Sequence, residues 1–179
     1  TKQTVRTYIV GMLWPYYDAE IDDITDEGWE FLKALYANAY MLPADSNADV
    51  YAMFKDGTLP ITLDWFGGAK ARSEANEAPI AYVKPENGTP IVAEGIAIVK
   101  GTKLEEKAKA FIEWWGSPET MAAYANEFAQ APAHPDAIAL CSDEVKAEAE
   151  MFTAQEIDWE VCAKHMDDWF VKIELEIMP

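Results

Sequence analysis

Residues 79–125 read PIAYVKPENGTPIVAEGIAIVKGTKLEEKAKAFIEWWGSPETMAAYA. Two β-prone runs, Ile80, Tyr82, Val83 and Ile96, Ile98, Val99, flank the turn-forming ENGTP, a pattern expected of strands joined across a Gly/Pro-rich turn. From Lys103 the period changes. Leu104, Ala108, Phe111, Ile112 and Trp115 fall on one face of a helix, because residues three and four apart share a face. Ser117 followed by Pro118 opens the next helix, where the missing proline N–H would have no partner anyway. Strands that give way to helices in this manner predict an α/β layer architecture.

Working upstream, LPITLDWFGGA places Ile61 and Leu63 in another short β-prone run, and two glycines then open a helix through Lys70 and Arg72. Before it, Val5, Tyr8, Ile9, Met12, Leu13 and Tyr16 follow Thr4, an expected N-cap, in a helix disrupted near Pro15. A second helix is expected around Trp29, Leu32, Leu35 and Tyr36. A third carries Val50, Met53 and Phe54 between Ser46 as cap and Gly57 as stop. Downstream, AQAPAHPDA reads as a loop and Ser142 caps a further helix. Trp159, Cys162, Met166, Trp169, Phe170 and Ile173 form the last apolar stripe.

Half of the 179 residues are hydrophobic, enough to build a core. The 32 acidic residues against 14 basic ones give a formal charge of -18. Such a field repels phosphate backbones and anionic headgroups, so nucleic acid and membrane surfaces are not expected partners. No apolar run approaches the ~20 residues that span a bilayer, and any export signal is expected to have been removed or to lie upstream. Cys141 and Cys162 form no CxxC pair, and His134 and His165 are too scattered for a zinc site. One disulfide is conceivable; two buried free thiols is the preferred reading.

The order and wording of these segments resemble the bacterial extracellular solute-binding proteins of ABC importers, the family that takes iron, polyamines, thiamine, aminoethylphosphonate and phosphosugars. DEGWEFLKALYAN is similar to the family's helix after the ligand loop, TLPITLDWFGGAKA to its strand-turn-helix ligand wall, and residues 79–125 to its return strand and following helices. DWEVCAKHMDDWFVKIELEIM resembles its C-terminal helix. The resemblance implies a periplasmic-binding-protein-like (type II) α/β fold, of which this chain carries mostly the second lobe. Residues 1–93 would be the second-lobe segment with the ligand wall, and 94–179 the hinge return strand and the C-terminal helices packing on both lobes. It also implies a small-molecule solute, an ABC transporter permease and a missing N-terminal lobe or second chain as partners. The implied location is periplasmic or extracellular, a cell-surface lipoprotein being one form.

Trp65 with Gly67 and Gly68 is the favoured constellation. A strand ending in an aromatic and turning through glycines lets a ligand reach backbone N–H groups at a helix start; the alternative is a core tryptophan beside a plain turn. Polyamine binders pack a tryptophan of the matching motif on their ligand, so the resemblance points to Trp65. Glu94 is a carboxylate inside an apolar run, which needs either a cationic partner or an exposed hinge turn before Gly95. The matching position is acidic in polyamine binders, whereas Val92 stands where they carry a second tryptophan. Lys2, Gln3, Thr4 and Arg6 match the family's ligand-facing loop, and Arg6 would grip an anionic group; a solvated terminus is the alternative. The solute implied is polar or zwitterionic, of the polyamine, aminophosphonate or phosphosugar class. Trp65 and Phe66 stand where a ferric site would need tyrosines, and no metal or cofactor is expected. Without GxSxG, P-loop, HExxH or Cys-His-Asn patterns the chain is not expected to be an enzyme. A carboxylate-based enzyme or a ligand-sensing module of the same fold are the alternatives.

Overall fold

The structure, a computed structural model, describes residues 3–42 and 49–178. Lys2, the expected cap Ser46 and the side chains of Gln3 and Thr4 lie outside the described residues. The chain forms two compact units. The first comprises Thr1–Ala48, Pro85–Pro90 and Ala154–Pro179, and the second Asp49–Lys84 and Ile91–Thr153.

In the first unit, α1 (Gln3–Leu13) already contains Thr4, which is therefore not its N-cap. It ends where expected. Pro15 sits at the start of a 3-10 turn, Trp14–Tyr16, because a proline inside the helix would remove a hydrogen bond and clash with the preceding turn. A hairpin follows that the sequence did not announce: β1 (Tyr17–Asp18) pairs antiparallel with β2 (Asp23–Ile24), Tyr17 opposite Ile24. Then come α2 (Asp26–Asn38) and, at the far end of the chain, α8 (Trp159–Lys172), which continues into a π-helical turn, Ile173–Ile177. Asp158 caps α8 by accepting from the N–H groups of Glu160 and Val161 at 3.0 and 3.1 Å.

The expected apolar stripe is the one that packs: Ile9, Val10 and Leu13 of α1 and Trp29 and Leu32 of α2 meet Cys162, Trp169, Phe170 and Ile173 in one core. The hairpin is fastened to α8 by polar contacts. Trp169 Nε1 donates to Asp23 at 2.7 Å, and His165, stacked on Trp169, meets Asp22 at 3.1 Å. Tyr17 donates to the same Asp22 carboxylate, which pushes the phenol up to about 12 and, with His165, holds the carboxyl below its usual range.

The second unit contains α3 (Val50–Lys55), α4 (Phe66–Asn76), α5 (Glu105–Trp115), α6 (Pro118–Phe128), a 3-10 turn Pro135–Leu140 and α7 (Asp143–Ala149). Asp49, not Ser46, caps α3, taking the Tyr51 and Ala52 N–H groups, and Gly57 ends the segment at φ +79 as expected. Ser117 and Ser142 cap α6 and α7 through Thr120 N and Val145 N. The AQAPAHPDA segment is only partly loop, since its end enters the 3-10 turn under a cap from His134 Nδ1. Its cores are small: Ala122, Ala125, Ala137, Cys141 and Val145 in one, Tyr51, Ala69 and Ala78 in the other.

Among the described residues the expected α/β layers are built only in part. Among the described residues the one sheet is β1–β2, supplemented by an isolated bridge between Thr89 and Ala154. The runs around Ile61, Tyr82 and Ile98 carry no strand. A strand exists only as a ladder with a neighbour, and among the described residues these segments have none; Ile61, Val83 and Val99 are 76%, 80% and 78% exposed. The α5 helix forms at its expected place, yet none of its residues is buried. Phe111 and Trp114 stand open to solvent, in ring contact with Trp115 and, through it, Tyr124 and Phe128.

Cys141 and Cys162 are both buried and unbonded. Burial pushes the Cys162 thiol up to about 11, helped by the Asp158 carboxylate. Since thiolate is the reactive form, neither cysteine is expected to react with an aromatic disulfide reagent at pH 8 until denaturant is added; prompt reaction of the folded protein would contradict this packing. The sign follows from linkage: a thiol pKa raised on folding supports the fold fully below its ordinary 9.0 and loses that support as the pH rises toward 11.

Candidate functional site

Trp65 is the N-cap residue of α4, and its backbone N–H donates to Asp64 Oδ1 at 2.9 Å. That short-range bond fixes the chain direction just before the helix, as acidic side chains do in turns. The Trp65 side chain folds back over the helix's first turn. A Cβ placed on Gly68 would lie 2.5 Å from the indole Nε1, and one on Gly67 2.7 Å from Cζ3 and 3.0 and 3.1 Å from the carbonyl oxygens of Phe128 and Ala129. The two buried glycines are required by the approach of the indole and of the end of α6. The space that sequence reasoning reserved for a ligand against these backbone groups is taken by Trp65 itself. As a whole residue Trp65 is 43% exposed.

Asp64 is the residue that sequence reasoning missed. Its carboxylate also accepts from the Tyr51 hydroxyl at 3.0 Å and from the Arg72 guanidinium, joining α3, the segment before α4 and the second turn of α4. Burial and then the bond to Asp64 push the Tyr51 phenol well above its ordinary value, and the Asp64 bond likewise raises Arg72. The available signals were an acidic residue directly before Trp65 and an arginine four residues after Gly68, on the same helix face. The opposite side of α4 is braced by Lys70, which reaches Glu144 and Glu148 of α7 at 2.5 Å each. Desolvation opposes the charge on Lys70, but the two carboxylates hold its ammonium strongly protonated. Phe66 packs with Tyr82 and Phe152, ring centroids 5.0 and 5.5 Å away.

Trp65, Gly67 and Gly68 are thus brought together. Glu94 lies in the same unit, exposed, on a segment without regular secondary structure. Arg6 belongs to the other unit, where its guanidinium meets Asp167 at 3.1 Å and lies 4.8 Å over the Phe170 ring. It is already gripped from within its own fold. Gln3 and Thr4 are backbone members of α1. A shallow depression of about 460 Å³ lined by Ala52, Lys55, Asp56, Ala75, Asn76 and Glu77 contains none of these residues. Among the described residues no group of acidic, cysteine or histidine side chains could hold a metal, and no helix is long and apolar enough to cross a membrane.

Residues 6–153 match the family described as bacterial extracellular solute-binding protein. The chain is also 42% identical over 175 residues to the "Probable ABC transporter periplasmic-binding protein y4fP" of Sinorhizobium fredii (strain NBRC 101917 / NGR234), covering 98% of this chain and 48% of that protein. No solved structure matches. The chain belongs to the bacterial extracellular solute-binding proteins, and with them to the periplasmic-binding-protein-like folds and to a periplasmic or extracellular location. It spans about half the length of the curated relative it matches.

Proposed function

We propose that the chain is part of the substrate-binding component of an ABC importer, non-catalytic, and that it captures a small polar or zwitterionic solute of the polyamine, aminophosphonate or phosphosugar class. The observation that carries this reading is Trp65, half-exposed, with its indole laid over the buried Gly67 and Gly68 at the head of α4. A flat apolar face with one N–H donor suits a small polar molecule. Membership of the family supports the transport role.

In this reading the fold is the two-lobed, type II arrangement. Residues 1–93 supply most of one lobe and 94–179 the return to the other, with the cleft completed by a first lobe or second chain. Support comes from apolar surface that the chain leaves open: Ile91, Val92, Ile96 and Val99 in residues 91–99, and Phe111 and Trp114 on α5. Monomeric proteins rarely leave such patches uncovered. Glu94, within that segment, would also meet the solute in this reading, and the closed form would be presented to the permease by hinge closure.

The test is titration calorimetry on the full-length protein with putrescine, 2-aminoethylphosphonate and glucose 6-phosphate. Trp65→Ala is expected to weaken binding of the active probe roughly tenfold to a hundredfold, the equivalent of losing a well-packed indole contact. Glu94→Ala tests the second wall in the same way. Unchanged affinity in both variants would overturn the site.

A further inference from the structure

We infer that Arg72 is a specificity-determining residue of the Trp65 wall, and that the group of the solute meeting this wall is an acid, a carboxylate or a phosphoryl or phosphonyl group, rather than an amine. The inference rests on reading Trp65 as a solute contact. A Cβ on Gly68 would be 2.5 Å from Trp65 Nε1 and 2.9 Å from Arg72 Nη1, so the indole N–H and the guanidinium occupy the same few ångströms of surface.

What decides the charge is which hydrogen-bonding capacity there is already spent. Asp64 is the acceptor at this place, and both its oxygens are engaged: Oδ1 by Trp65 N, Oδ2 by Tyr51 and Arg72. Its side chain is 17% exposed, against 53% for Arg72. An ammonium group would have to displace one of these partners to reach it. Arg72 differs. A guanidinium carries more N–H donors than Asp64 and Tyr51 use and presents them in a planar fork that fits carboxylate and phosphate oxygens. The indole N–H is a donor only. Asp64 therefore positions the arginine without being offered to the solute, and the exposed partner of the pair, Arg72, is the one that donates.

The formal charge of -18 does not reverse this. Charges beyond about 10 Å are screened at moderate salt, whereas a direct bidentate contact is not. The other cation on α4, Lys70, is occupied by Glu144 and Glu148, which leaves Arg72 as the helix's exposed cation.

The experiment is calorimetry on the full-length protein with inorganic phosphate, 2-aminoethylphosphonate, glucose 6-phosphate and succinate on one side and putrescine and spermidine on the other. Binding is expected from an acid-bearing probe, with affinity falling about tenfold or more in Arg72→Gln. Arg72→Lys should recover part of that loss, because it keeps the charge without the fork, and the loss should shrink at high salt. Melting curves of both variants separate a lost contact from a loosened helix. If Trp65→Ala weakens binding but Arg72→Gln does not, the wall stands and the acid assignment falls. Unchanged binding in Trp65→Ala overturns the wall itself. Binding confined to the two amines, or to none of the panel, overturns the assignment.

Discussion

Ile173→Ala is expected to destabilise the first unit by about 3 kcal/mol, within the range of 2–5 for a buried Ile or Leu replaced by Ala. Ile173 is completely buried, 0% exposed, where α8 passes into its π-helical turn. It lies in the core that joins α1 and α2 to the end of the chain. Deleting its side-chain carbons removes apolar burial and leaves a cavity that Leu13, Leu32 and Phe170 would have to collapse into. Urea unfolding followed by tryptophan fluorescence would read the change as a lower midpoint at an unchanged slope. A shift of less than about 1 kcal/mol would mean that this core is not packed as described.

Gly67→Ala is the second large effect, and its contrast with Gly68→Ala is the informative part. At Gly67 the new methyl group meets the backbone carbonyls of Phe128 and Ala129 at 3.0 and 3.1 Å as well as the indole. Backbone yields little, so overpacking should cost about 1–3 kcal/mol and separate the start of α4 from the end of α6. At Gly68 the contacts are with the side chains of Trp65 and Arg72, which can swing away. Gly68→Ala should therefore leave the melting temperature near wild type while changing the exposure of the indole, read as a shift in tryptophan emission. Equal loss of stability in both variants would show that the indole is held rigidly by more than these contacts.

Helices were legible because their signals are local. Ser117, Ser142 and Gly57 act through bonds or dihedrals within a few residues, and each does at its position what its chemistry requires. The runs around Ile61, Tyr82 and Ile98 have the composition of strands, but a strand needs a neighbour, and they form no ladder within residues 3–42 and 49–178. The β1–β2 hairpin escaped for the opposite reason. It has little β-prone pattern, and Asp22 and Asp23 are tied to His165 and Trp169 more than 140 positions away.

The site divides in the same way. Trp65, Gly67 and Gly68 form a motif within four residues and could be picked out. Asp64 shows its role only when Tyr51 of α3 and Arg72 of α4 converge on it. Arg6 read as a spare cation because its partners, Asp167 and Phe170, lie at the other end of the chain. Pairings over such distances leave no periodicity to read.

The core joining α1 to α8 also dictates an order of events during synthesis. Ile9, Val10 and Leu13 are made about 150 residues before the surfaces they bury against, Cys162, Trp169 and Ile173. At about 5–20 residues per second the first helix waits roughly ten to thirty seconds for its counterpart. Throughout that interval the first unit cannot close its core, and by its end every residue of the second unit has already been made.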